Sequence, residues 1–513
     1  MSRRRRAGLL VLAGLGVLAA VAVLIATRAP VARAAFSVSV TGTPISRPVA
    51  DDFLGLALEY NTIPEWSGPG AAGVNAPLMG LMRGLDPVGR PLVRVGGQST
   101  DRSWWPVPGL ARPFGVTYDL TTAWTAAART LARSLDAQLM LGLNLEANRT
   151  RIPAQESRRL LAGVGPRYVS SFQLGNEPEL YHTTPWYRVL HGRPIPWYSK
   201  VGQRVFARGA SYGPLDFTSE FSRMIAGLPK LPLAGPETGN PDWMQVFTGL
   251  VSPSSRVRML TFHGYGTSGC ARNPADPRYP TIPHLLSPSA SRGLVDGFAP
   301  DVALAHRDGA TIRLDELGSV TCNGRAGVSN TMASALWVMD ALFSLAAAGV
   351  DGVNLHTFPN SVNGLFDFRQ SGGRWQAVVH PLYDGVLMFA RAAPPGSRLL
   401  RIATGTQEQI RAWATLGSDR QVRVLLINDS LNAGTRAVIH APSGYGSSPA
   451  PLQRLLAPSV SATSGVTLGG QQFGTTSTGV LAPPVAQTVA AASGSYTVSL
   501  PAGSAALLVL APH

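Results

Sequence analysis

The run SSFQLG at residues 170–175 ends in Asn176-Glu177-Pro178, and TIRLD at residues 311–315 ends in Glu316. Each is a short apolar-rich segment stopped by polar residues or proline, which reads as a buried strand opening into a loop. The same pattern recurs in FLGLAL from Phe53, PLVRV from Pro91, QLMLGLNL from Gln138, LPLAG from Leu231, RMLTF from Arg258 and DGVNLH from Asp351. Amphipathic stretches separate these eight runs, the pattern of βα units feeding a parallel sheet. Eight such units in one domain predict an α/β fold, a closed (β/α)8 TIM barrel over residues 51–393. Two helices are punctuated in the sequence. Asp119 and Thr121 precede or open LTTAWTAAARTLARSL, and Ser329-Asn330 stand as caps ahead of TMASALWVMDALFSLAAA, which stops at Gly349.

After Pro394-Pro395 the pattern changes to short alternating segments, QVRVLLIND, TRAVIHA, SYTVSL and AALLVL, separated by turn formers. This predicts a C-terminal all-β sandwich over residues 394–513. FSVSV at Phe36 alternates in the same way ahead of the barrel, so residues 36–50 are expected to supply a strand to that distant sandwich. At 513 residues with 45% hydrophobic and 14% charged, the chain is globular and long enough for two or three domains.

Arg3 to Arg6 precede an uncharged apolar run over residues 7–26, followed by Ala32-Arg33-Ala34, a small-x-small cleavage pattern. Residues 1–35 therefore read as a signal peptide. The run is long enough to span a bilayer, which makes an uncleaved anchor the rival and the one expected membrane contact. The formal net charge is +15, and with six arginines and no acid in residues 1–35 the remainder carries +9. Anionic saccharides suit such a charge, and so does a plain arginine bias in composition. Nucleic acid is set aside because no arginine-rich stretch interleaved with aromatics stands out after the leader. Cys270 and Cys322 are the only cysteines, and in an exported chain the pair is expected to form a disulfide between the loops after the sixth and seventh strands. No CxxC or HxxxH spacing accompanies them, so no metal is expected. No GxSxG elbow or P-loop is present, and no cofactor is expected.

In a barrel the active site lies where strands end at their C-terminal side. Glu177 after the fourth strand and Glu316 after the seventh face each other across such a mouth. Two carboxyl groups about 5–5.5 Å apart, one protonated and one ionised, are what retaining glycoside hydrolysis requires. Asp315 competes with Glu316: if Leu314 points outward, Asp315 points into the barrel and Glu316 sits at the rim.

RVGGQSTD at Arg94, FQLGNEPEL at Phe172, AGPETG at Ala234, FHGYG at Phe262 and LDELGSV at Leu314 resemble family 79 glycoside hydrolases, the β-glucuronidase and heparanase group of clan A. The resemblance covers about residues 50–390 of the chain. It implies retaining cleavage of β-linked uronosides, with Glu177 as acid/base and Glu316 as nucleophile. It further implies that Asn176 bonds the sugar 2-hydroxyl, that Tyr265 lies against the nucleophile, and that His263 belongs to the site. The family's Tyr-Gly-Gly run shortly after the nucleophile, which helps hold the uronate carboxylate, is replaced here by Thr321-Cys322-Asn323-Gly324, leaving backbone donors near Gly324 for that task.

Other polar residues placed at strand ends are candidates for sugar hydroxyls: Glu59 and Tyr60, Gln98 and Asp101, Asn144 and Glu146, and His356. Trp104 and Trp105 are candidates for stacking on sugar faces. The expected partner is a β-linked glycoside or polysaccharide. The rival readings are a clan A enzyme for a neutral sugar and an exported carbohydrate-binding protein without catalysis.

Overall fold

Strands form over all eight apolar runs: Leu54–Leu58, Leu92–Val95, Gln138–Leu143, Val169–Leu174, Leu233–Thr238, Val257–Ser268, Thr311–Thr321 and Gly352–His356. In the computed structural model, which describes residues 36–513 except 69–73, 87–88 and 406, they close into one parallel barrel. Neighbours in sequence are neighbours in space, the eighth strand closes onto the first, and Phe172 meets Leu233 where the fourth joins the fifth. The strands are buried along most of their length, which explains why they read as near-continuous apolar runs rather than as alternation. The leader read from residues 1–35 lies outside the described residues.

Helix Thr122–Leu135 begins at Thr121, whose hydroxyl accepts from the Trp124 N–H at 3.2 Å, and ends at Asp136 in the left-handed region. Helix Met332–Ala348 begins at Thr331 rather than at Ser329-Asn330 and has no side-chain cap. The hydroxyl and amide of those two residues instead accept from Arg325 and Gly327 in the preceding turn. It ends at Gly349, whose φ of +90° suits glycine. Met332 to Ala346 are all buried, as a helix covered on every side must be. One of its coverings is the C-terminal region: Phe343 stacks on Trp413, and Asp340 accepts from the Trp413 indole at 2.9 Å.

The C-terminal region is a ten-stranded sheet. Strand Phe36–Pro44 lies within it, antiparallel to Arg398–Thr404 and parallel to Thr435–His440. Phe36, Val38 and Val40 are buried there with Leu400, Val424, Ile439, Tyr496 and Val498, a second core distinct from that of the barrel. The alternate residues Leu425, Ile427, Ala505 and Leu507 belong instead to the barrel's core, so the strands carrying them are apolar on both faces.

Candidate active site

Two irregularities aim carboxylates into the barrel mouth. In the fifth strand the register with the sixth slips between Pro236 and Thr238, and Glu237 in the slip has φ +64°. In the seventh, Phe262 pairs with Leu314 but His263 pairs with Glu316, so Asp315 is an extra residue. A bulge of this kind turns two successive side chains to the same region, which simple alternation forbids. Asp315 and Glu316 are accordingly both buried and both in contact with Arg94, and the choice between them posed by alternation does not arise. Glu177 also sits in the left-handed region, at φ +48°, as the fourth strand breaks into the loop. Non-glycine residues held there are uncommon and concentrate at functional sites.

Arg94, on the second strand and fully buried, ties these pieces together. Its Nη1 donates to Glu316 Oε2 at 2.7 Å, and its Nη2 donates to Asn176 Oδ1 at 2.7 Å and to Glu237 Oε2 at 2.7 Å. Its Nε lies 3.0 Å from Glu237 and 3.2 Å from Asp315. Glu237 also accepts from Thr261 at 2.6 Å, while Gln173 donates to both Glu237 and Asp315. Glu316 Oε1 accepts from the Tyr265 hydroxyl at 2.7 Å and lies 3.4 Å from His356 Nδ1. His356 continues to Glu59 at 3.1 Å. Tyr265 can lie along the seventh strand only because residue 318 is glycine: a Cβ there would stand 2.4 Å from its ring.

The charges sort themselves within this network. Burial pushes the Glu316 carboxyl up, but His356, His263, Arg94 and the tyrosine bond outweigh it and hold it well below the ordinary carboxylate range. Burial likewise opposes ionisation of Glu237, and Arg94 with His263 overcomes it. Burial and the neighbouring Glu237 push Asp315 far above the ordinary range, so it stays protonated. His263 and His356 are raised above 6.5 by the carboxylates around them, against burial, Glu316 first in both cases. His263 Nδ1 lies 3.1 Å from Glu177 Oε1, and the Glu177 side chain is 21% exposed against 7% for Glu316. Oxygens of Glu177 and Glu316 and a ring nitrogen of His263 all lie within 4.8 Å of one another. That set, like Glu237, His263 and Asp315, has the geometry to ligate a cation, but in each the charge is already supplied by Arg94 and by His263 itself.

Glu59, Asn176, His263, Tyr265 and His356 thus converge on the two glutamates. Gln98 joins them on the wall of a cavity lined by Asn176, Glu177 and Thr184. Five other candidates turn inward. Tyr60 is fully buried and its hydroxyl donates to the Gly142 carbonyl, so it is a core residue. Asn144 spends its amide on the carbonyls of Asp101 and Ser103 and on the Ala147 N–H. Asp101 accepts from the N–H groups of Leu145, Glu146 and Asn176 and from the Tyr181 hydroxyl, which makes it the brace of the Asn176 loop rather than a sugar contact. Trp104 is buried with its indole on Asp119, and Trp105 packs against the core, so neither is a stacking platform. Gly324 donates its N–H to the Thr321 carbonyl at 3.3 Å, which removes it as a free donor for a carboxylate. Glu146 lines the cavity, buried against Arg102, and its burial pushes its carboxyl up to about 8. Cys270 and Cys322 are bonded, joining the loops after the sixth and seventh strands.

Sequence reading missed Arg94, Gln173 and Glu237 as site residues. The available signal was a charged or amide residue inside an otherwise apolar strand, which is rare unless it is paired.

Residues 412–507 match the family described as the glycosyl hydrolase family 79 C-terminal beta domain. Among solved structures, the chain is similar to a 4-O-α-L-rhamnosyl-β-D-glucuronidase from Fusarium oxysporum 12S, with 18% identity, a TM-score of 0.68, and 92% of this chain and 99% of the other covered. It is also similar to a family 51 arabinofuranosidase from Xanthomonas axonopodis pv. citri, at 16% identity and a TM-score of 0.65 over 93% of this chain and all of the other. A family 44 xyloglucanase from Paenibacillus polymyxa follows at 11% identity and 0.58, over 93% and 99%. No curated protein matches the chain by sequence. These likenesses establish the barrel with its β domain as a fold that this chain shares with those solved glycosidases.

Proposed function

We propose, from the premise that this chain is a glycoside hydrolase carrying the family 79 C-terminal β domain on a clan A barrel, that it is an exported retaining β-glycosidase for uronosides. The observation that carries the reading is the approach of Glu177 and Glu316 oxygens to within 4.8 Å. Retaining enzymes hold their carboxyl groups about 5–5.5 Å apart, and inverting enzymes about 6.5–9.5 Å.

Glu316, kept ionised and oriented by Arg94 and Tyr265, attacks the anomeric carbon. Glu177, on the open side of the pair, gives its proton to the leaving oxygen as that carbon–oxygen bond breaks. Glu177 then takes a proton from water, whose oxygen displaces Glu316 and releases the sugar with its configuration retained. Asn176, with Oδ1 occupied by Arg94, has its amide NH2 available for the 2-hydroxyl, a bond that strengthens in the transition state.

Uronate specificity is supported by the family 79 domain, by the solved rhamnosyl-glucuronidase of the same fold and by the basic charge. A neutral sugar is favoured by one observation, the engagement of Gly324 with Thr321 where the family places a carboxylate-holding tyrosine and glycines. The disulfide and the leader support export.

The test is a pair of variants on aryl β-glucuronides and neutral aryl β-glycosides of graded leaving-group acidity. Glu316→Ala abolishes turnover of all substrates, whereas Glu177→Ala spares those with acidic leaving groups, which need no proton. Equal losses on good and poor leaving groups would remove the assignment.

A further inference from the structure

Helix Ala76–Leu85, after the first barrel strand, and helix Pro381–Ala392, after the eighth, pack on each other, and residues 473–481 of the C-terminal region cross them. The three pieces border a cavity of about 710 Å³, within the range that small-molecule sites occupy. The crossing segment comes this close because residue 80 is glycine: a Cβ there would stand 2.0 Å from the Thr478 carbonyl oxygen. Met79, Tyr383, Leu387 and Phe473 give the cavity an apolar wall, in which the Tyr383 and Phe473 rings meet edge to face at 5.3 Å. The Tyr383 hydroxyl already donates to the Leu81 carbonyl at 2.7 Å, so that residue offers its ring rather than a donor.

The charge in the lining is of one sign. Arg83 and Arg391 are the charged side chains among the described residues that line it, and neither has an ion-pair partner among the described residues. Arg83 donates to the Ser134 carbonyl at 3.0 Å and Arg391 to the Gln453 side-chain oxygen at 2.8 Å, both neutral acceptors. Each stands in the last turn of its helix, where the free carbonyls favour a cation, and this accounts for the exposed Arg83. It does not account for Arg391, which is half-buried, with its guanidinium held below the ordinary range by that burial. Asp384, the acid that acts on it, is itself buried and pushed up to about 8, hence neutral near pH 7. A partly desolvated cation without an anion is costly unless a ligand supplies the charge.

The arginines also fix where the cavity lies. Helices of a barrel return antiparallel to its strands, so their last turns sit at the face opposite the mouth that holds Glu177 and Glu316. The cavity is therefore no extension of the sugar site, and its lining holds few partners for a sugar's hydroxyls.

We infer that this cavity binds a small amphipathic carboxylate, its apolar chain lying on Tyr383, Leu387 and Phe473 and its anionic end on Arg391 and Arg83. Because the walls come from the barrel and from the C-terminal region, such a ligand ties the two together. The inference goes beyond the glycosidase reading and does not depend on it.

The test is isothermal titration calorimetry at pH 7 with octanoate, kept below its micelle-forming concentration, against acetate, octan-1-ol and octylammonium. The expected result is saturable binding of octanoate at one site, about tenfold or more tighter than any of the other three. Arg391→Gln should weaken octanoate about tenfold and Arg83→Gln about threefold. The control Arg374→Gln/Arg401→Gln, exposed and outside the cavity, should leave it within about twofold. Arg83→Glu, an exposed change that leaves packing alone, should weaken octanoate more than Arg83→Gln, and it carries the test if Arg391→Gln does not fold. No saturable binding of octanoate, equal binding of octan-1-ol, or equal losses in the arginine and control variants would each overturn the inference. So would arginine-dependent retention on phosphatidylglycerol vesicles without binding of free octanoate, which would give the surface to a membrane instead.

Discussion

Replacing Arg94 by methionine keeps the volume of the side chain and removes its charge and all its donors. Arg94 is fully buried, and it contacts Glu237 and Glu316 as ion-pair partners, the neutral Asp315 carboxyl at 3.2 Å, and Asn176 as an amide partner. Asp315 is held protonated, so the loss falls on Glu237 and Glu316, two buried carboxylates left with the histidines as their cations. Removing one partner of a buried ion pair costs about 3–5 kcal/mol because the remaining charge cannot be resolvated. For a chain of this size that is a fall of about 3–5 °C in melting temperature, read by scanning calorimetry. Asn176 loses the bond that positions its amide, and displacement of a positioning group by an ångström costs about 10²-fold in rate. With Arg94 gone, the pKa of Glu316 rises, so the acidic limb of the kcat/KM profile moves to higher pH. A merely structural role would leave that limb in place. Arg94→Lys keeps the charge but not the fork, and should recover part of the stability and little of the rate. A methionine variant melting within about 2 °C of the parent, with kcat/KM within about threefold and an unmoved acidic limb, would refute the reasoning.

The Cys270–Cys322 bond closes a loop of 52 residues, worth about 4 kcal/mol in the loop-entropy account, so the Cys270→Ser/Cys322→Ser protein should melt lower, and an unchanged melting temperature would contradict this. Asp384 is buried, and burial, only partly offset by Arg391, pushes its carboxyl up to about 8. Its contribution to stability is fully present below the unfolded value of about 3.9 and is lost as pH rises towards 8. The advantage of Asp384→Asn in melting temperature should therefore grow between those limits and level off above them, and an advantage independent of pH would count against it. Tyr60→Phe deletes the buried bond to Gly142 and should lower stability by about 1–3 kcal/mol while leaving KM unchanged; a raised KM would return Tyr60 to the substrate site.

Order along the chain was enough to read the barrel, because each strand is a local apolar run and a parallel barrel places sequence neighbours side by side. The same locality made Glu177 and Glu316 visible, since each ends such a run. Reading failed where a side chain's direction depends on distant chain. Tyr60, Asp101 and Asn144 are polar residues after strands and look like rim groups, yet each is turned inward by partners that only the closed barrel supplies. Asp315 and Glu316 face the same cluster because the pairing with the sixth strand slips by one residue, and no periodicity within TIRLDE carries that information. Arg94 lies 143 residues from Glu237 and 222 from Glu316. Its charge within a buried strand announces that a partner exists, because an unpaired buried cation is too costly, but only the fold decides which carboxylates answer it.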